Sequence, residues 1–142
     1  MQKNLKNNYI FIIVPVITLF IVFGVIKEFN LVNIKLPLPV FIYPLIFILS
    51  ATTSIAGPIF LRTYFANSMR NSKSVERDIF FRFEKRLLFL SLITPYLALI
   101  SIVFEFPKFY SGFIVMFSLY AVYYYFPSKK RIDFDKKIFR VK

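Results

Sequence analysis

Four long stretches of this chain carry no charged residue, and that one feature bounds what it can fold into. They cover residues 9–26, 36–61, 87–104 and 109–128, with lengths of 18, 26, 18 and 20 residues. An α-helix rises about 1.5 Å per residue and a bilayer's hydrocarbon core is about 30 Å thick, so a run of about 18 apolar residues marks a transmembrane candidate. A soluble alternative needs four wholly buried helices and almost no amphipathic ones. At 58% hydrophobic and 20% aromatic residues in 142, the chain is too apolar for an ordinary soluble domain. The expected fold is an all-α membrane protein with four transmembrane helices as two antiparallel hairpins and both termini cytoplasmic. A single integral membrane domain, 1–142, holds spans at about 9–26, 40–61, 87–104 and 109–126, a cytoplasmic loop at 62–86 and a basic tail at 128–142.

The charge pattern sets the orientation. The net charge is +12, and sixteen of the nineteen Lys and Arg residues lie in three places: the N-terminal tail, the loop from Arg62 to Arg86, and the segment after Ser128. Only Lys27, Lys35 and Lys108 fall in the other two connections. Short loops rich in Lys and Arg resist translocation, so the three basic segments are expected on the cytoplasmic side. Arg70, Lys73, Arg77 and Arg82 of the loop and Lys129, Lys130 and Arg131 of the tail are candidate contacts for a cytoplasmic partner or for anionic lipid headgroups. Basic residues that flank hydrophobic spans, and do not cluster on a folded module, point away from nucleic acid.

The chain has no Cys and no His, which removes disulfides, zinc and copper sites, iron–sulfur ligation and His-ligated haem. Its three glycines, Gly24, Gly57 and Gly112, stand alone, so no glycine-rich phosphate loop is present. No Asp, Glu, Lys or Arg sits in mid-span, where pumps and proton relays ordinarily need one. No cofactor and no enzymatic activity are expected.

In chain order, Asn7 or Asn8 is a candidate helix cap ahead of the first run, which reads as a retained signal anchor. Lys27 to Pro39 forms the first outer loop. In the second span, Ser50, Thr53, Ser54 and Gly57 recur at i, i+3, i+4 and i+7. The third answers with Ser91, Thr94, Ala98 and Ser101. Small, weakly polar stripes let helix backbones approach and hydrogen-bond across the contact. Pro58 frees the carbonyl of Ser54 and Pro95 that of Ser91, with hydroxyls nearby as relief. Spans two and three are expected to pack antiparallel along these stripes; a hydroxyl-lined path for a small solute uses the same residues.

Ser74 is a candidate cap for a helix running on from Val75 to Phe104, long enough to overshoot the bilayer core into the cytoplasm. Glu105 is read as an interfacial residue in water or paired with Lys108. Tyr120, Tyr123, Tyr124 and Tyr125 form an aromatic belt, with a quinone or lipid pocket as the functional alternative. After Pro127, Phe134, Ile138 and Val141 recur at i, i+4 and i+7 among lysines, the pattern of a short helix lying on an anionic membrane surface.

The segment RLLFLSLITPYLALISIVF, a brief turn, and GFIVMFSLYAVYYYFPSKKR resemble a group of small uncharacterised bacterial four-span inner-membrane proteins. The tandem hairpins also resemble rotor-ring subunits of ATP synthases, without their mid-span carboxylate. What the resemblance implies is a bacterial inner-membrane protein. The functional expectation is a non-catalytic accessory, assembly or scaffold subunit of a larger membrane complex, its partners being an anionic bilayer and other membrane subunits. The alternative is a small oligomeric channel or transporter lined by the Ser and Thr stripes.

Overall fold

The computed structural model describes residues 2–29 and 38–141; residues 30–37, which hold most of the loop expected on the outer side, lie outside the described part. Among the described residues seven α-helices follow one another: α1 (Gln2–Glu28), α2 (Ile42–Ala51), α3 (Gly57–Ser68), α4 (Arg77–Ser91), α5 (Thr94–Val103), α6 (Lys108–Tyr124) and α7 (Lys129–Ile138). A single π-turn, Thr52–Ala56, joins α2 to α3, and a two-residue turn at Leu92 and Ile93 joins α4 to α5. Among the described residues the only β pairing is an isolated bridge between Val75 and Val141.

Each break answers a proline. In the π-turn, the Gly57 N–H donates to the Thr52 carbonyl five residues back, which widens the helix just before Pro58, a residue with no N–H to give. At Pro95 the chain tightens instead, with the Tyr96 and Leu97 N–H groups both donating to the Ile93 carbonyl. The expected continuous helix from Val75 to Phe104 is therefore two helices end to end. The axis is kept well enough that Arg77–Val103 is one rod long and apolar enough to cross a membrane.

Gln2–Glu28 and Ile42–Ser68 are two further rods of that kind, and Lys108–Tyr124 with Lys129–Ile138 makes a fourth if the pair, bent by 78°, counts as one span. The helices reach well past the apolar runs: α3 continues to Ser68 and α4 starts at Arg77, so most of the stretch expected as a 62–86 loop is helical. Neither Asn7 nor Asn8 caps α1, which already begins at Gln2 because Leu5 is buried in the core and Tyr9 against its neighbours.

Contacts along the rods give their directions. Thr53 meets Thr94, Gly57 lies against Leu90, and Phe65 stacks on Phe83 at 4.1 Å, so α2–α3 runs antiparallel to α4–α5. On α1, Tyr96 donates to the Ile12 carbonyl and Lys27 pairs with Glu105, so α1 runs alongside α5 in the same sense. The short link from Phe104 to Pro107 turns α5 back into α6. There the Phe106 N–H reaches the Ser101 carbonyl around Glu105, whose φ of 48° is the left-handed conformation such a helix end requires. Glu105 thus pairs with Lys27 and not with its sequence neighbour Lys108, because the tight turn carries it towards the end of α1.

One end of the bundle carries a core like that of a soluble domain. Leu5, Phe65, Val75, Phe80, Phe83, Leu87, Ala121, Tyr125 and Ile132 form one buried cluster, joining the N-terminus, the 69–76 loop, α4 and α7. The three basic segments therefore converge at this end.

Candidate functional site

The polar side chains fall into three sets: a hydroxyl seam in mid-bundle, a buried four-charge cluster at the capped end, and basic residues facing outward.

In the seam, Ser50, Thr53, Ser54, Ser91, Thr94, Ala98 and Ser101 are all buried and Gly57 is half-buried. Thr53 Oγ1 and Thr94 Oγ1 lie 2.9 Å apart, a direct hydroxyl contact between the two rods. The remaining hydroxyls turn back on their own helices: Ser50 to the Ile46 carbonyl, Ser91 to that of Leu87 and Ser101 to that of Ala98, each at 2.8 Å, and Ser54 to that of Ala51 at 3.4 Å. A hydroxyl that satisfies its own backbone presents little polarity across the interface, so the seam is a place of close approach. Gly57 makes that approach possible, since a Cβ there would lie 2.7 Å from Leu90 Cδ2 and 3.0 Å from the Thr52 carbonyl oxygen.

The charged cluster unites four residues from three elements. The Arg62 guanidinium, near the middle of α3, donates to Asp135 Oδ2 of α7 at 2.8 Å. Arg131, also on α7, donates to Glu84 of α4 and to the Tyr125 carbonyl, and its Nε lies 3.6 Å from Asp135 Oδ2. Glu84 and Asp135 are each 1% exposed. Each of the four residues also keeps one buried polar atom with no hydrogen-bond partner: Arg62 Nε, Glu84 Oε1, Arg131 Nε and Asp135 Oδ1. Glu84 lies on the polar part of α4, before the charge-free run that starts at Leu87. Burial pushes its carboxyl up to about 7; Arg131 pulls it down, while Asp135 adds to the rise.

This cluster determines where α7 lies. The helix forms at the expected place, capped by the Ser128 side chain accepting from the Arg131 N–H. Its other face also has partners within the protein, while Phe134 and Ile138 are left 61% and 54% exposed. It packs inward by Ile132 and Asp135, and Arg131 points into the protein and not towards lipid, because Glu84, Asp135 and the Tyr125 carbonyl all claim its guanidinium. The tail then returns to the loop, with the Val75 N–H donating to the Arg140 carbonyl at 3.2 Å. That bond holds Val75 in the bridge, so α4 starts only at Arg77, with Glu76 in the cap position and Ser74 making no cap. The sequence held one trace of the cluster, Arg131 and Asp135 at i, i+4 spacing; Arg62 and Glu84 gave none.

Outward-facing charge is of another kind. Arg70, Lys73, Arg77, Arg82, Lys129 and Lys130 are exposed at the capped end. Near the tyrosine belt a groove of about 680 Å³ is lined by Tyr9, Leu119, Val122, Tyr123, Tyr124, Phe126, Ser128 and Arg131. Tyr120 and Tyr125 do not line it, and Tyr125 is buried in the core. Fold and site together define an all-helical protein with three rods, or four with the bent pair, long and apolar enough to cross a membrane, sealed at one end by a buried charge cluster. No family model matches the chain, nor does any curated protein or solved structure.

Proposed function

We propose that this chain is a non-catalytic, multi-pass protein of the cell's inner membrane, serving as an accessory, assembly or scaffold subunit of a larger membrane complex. In this reading α1, α2–α3, α4–α5 and α6 cross as two antiparallel hairpins, with both termini and the 69–76 loop in the cytoplasm. The convergence of the basic segments at one end supports that orientation.

The carrying observation is how the interior polarity is used. Seam hydroxyls are given to backbone or to each other, and the buried charges to each other. A buried ion pair adds little net stability against its desolvation, and in some proteins it serves instead to hold one arrangement over others. Here it holds α7 and the tail in one orientation over the bundle end, as suits a surface offered to partner subunits. The seam's self-satisfied hydroxyls weigh against a solute path through Ser50, Thr53, Ser54, Ser91 and Thr94.

Copurification from native membranes in mild detergent tests the proposal: stoichiometric partner subunits are expected, and a lone monomer would overturn it. Liposome flux separates the channel reading. If Ser54→Leu and Ser91→Leu abolish a flux while leaving the fold intact, the seam is a path; if they destabilise a protein that conducts nothing, it is packing.

A further inference from the structure

We infer that the outer face of α4 is a binding site for one anionic phospholipid of the cytoplasmic leaflet, with its phosphate on Arg82, Lys85 and Arg86 and an acyl chain along Phe89 and Ile93. The inference rests on the reading that the charge-free run from Leu87 to Phe104 crosses the bilayer, and not on the accessory role.

The register of the helix places the parts. Residues 82, 86, 89 and 93 are spaced 4, 3 and 4 apart and so share one face, with Lys85 beside them. The charge-free run begins at Leu87, so the cations sit at its polar edge and the apolar side chains follow directly below. Arg82, Lys85, Arg86, Phe89, Leu90 and Ile93 line one groove of about 530 Å³. From Arg86 to Ile93 the rise is about 10 Å, enough to lay the first half of an acyl chain under its own headgroup. A second groove of about 360 Å³, on the α3 side, shares Arg82 and Arg86, so both guanidiniums stand on a ridge open from two directions.

Charge complementarity chooses the occupant. Among the described residues no carboxylate pairs with Arg82, Lys85 or Arg86, and the one acidic residue between them, Glu84, is turned inward to Arg131. Three cations within about one turn repel one another, and they do so more strongly at a lipid boundary than in water. Lys85 Nζ stands 5.7 Å over the Phe89 ring, which keeps the ammonium close to the apolar part of the groove. Two guanidiniums add bidentate geometry suited to phosphate oxygens. A soluble anion would use the cations but leave the apolar floor uncovered; an amphiphile with an anionic head uses both.

The test measures lipid binding by native mass spectrometry in mild detergent, titrating phosphatidylglycerol against phosphatidylethanolamine of the same chains. Wild type is expected to hold one phosphatidylglycerol at about tenfold lower concentration than phosphatidylethanolamine. R82Q/K85Q/R86Q is expected to lose that preference, and K129Q/K130Q/K137Q, which removes equal charge from α7, to keep it. Equal binding of the two lipids, a retained preference in the α4 variant, or an equal loss in both variants would overturn the site. So would displacement of the lipid by inorganic phosphate at the lipid's own concentration. Should the triple variant melt below wild type, Arg86→Gln is scored alone, with at least a threefold loss of preference expected and no loss overturning the site. Recovery of wild type from the aqueous fraction without detergent would sink the membrane reading itself; a detergent-requiring protein that fails to discriminate sinks only the lipid site.

Discussion

Two basic groups share α4 as a neighbour and are treated oppositely. Arg62 and Arg131 are drawn against Glu84 and Asp135, carboxylates each 1% exposed, whereas Arg82, Lys85 and Arg86 stand outside on a groove with no carboxylate of their own. What separates them is rotation about one helix: at 100° per residue, Glu84 lies about 160° from both Arg82 and Arg86 when the two steps of two residues are taken each way. The lesson is that a basic segment flanking a span is not one thing. Its charge divides into a part used to orient the protein's own elements and a part left for whatever surrounds it.

The sharpest way to break this contrast is Asp135→Ala. It leaves two guanidiniums without their shared carboxylate and is expected to cost about 3 to 5 kcal/mol, read as a lower melting temperature in detergent and faster proteolysis after Pro127. A variant as stable as wild type would show that the cluster does not hold α7. Next comes Gly57→Val. Its side chain would press on Leu90 and the Thr52 carbonyl, moving α3 and with it Arg62, at an expected cost of about 1 to 3 kcal/mol. An unaffected distance between spin labels on α3 and α7 would uncouple the seam from the cluster.

Glu84→Gln tests the electrostatics of the buried group. Because the folded carboxyl titrates at about 7, above its ordinary value, folding favours the protonated form. Stability is then fullest below about pH 4.5 and declines as pH rises through 7. The melting temperature of wild type is expected to fall across that window relative to Glu84→Gln, and parallel curves would refute the shift. The smallest effect is expected from R82Q/K85Q/R86Q. These exposed cations make no ion pair, so the fold should change by no more than about 0.5 kcal/mol. A large loss would mean that the outer group is structural too and erase the distinction.

The segments long and apolar enough to cross a membrane were readable from residues alone because transfer into lipid is nearly additive along a helix: each apolar residue in 9–26 or 87–104 favours burial in hydrocarbon whatever its partners. The small-residue spacing of Ser50, Thr53, Ser54 and Gly57 was legible for the same reason, being a property of one helix face. Helix ends were less so. Ser74 has the right chemistry for a cap, yet the Val75 bond to the Arg140 carbonyl, supplied from the other end of the chain, decided where α4 starts.

In α7, two stripes compete, Phe134 with Ile138 and Ile132 with Asp135, and local hydrophobicity favours the first. The fold chose the second, because Arg62 and Glu84 stand 73 residues before Asp135 and 47 before Arg131 and offer that face its partners. By itself, then, the sequence determined which segments are apolar and long enough to cross a membrane. Only the tertiary structure decided which charges are consumed inside and which remain outside, since pairing depends on the distance and shared burial of residues far apart in the chain, and no local pattern contains either.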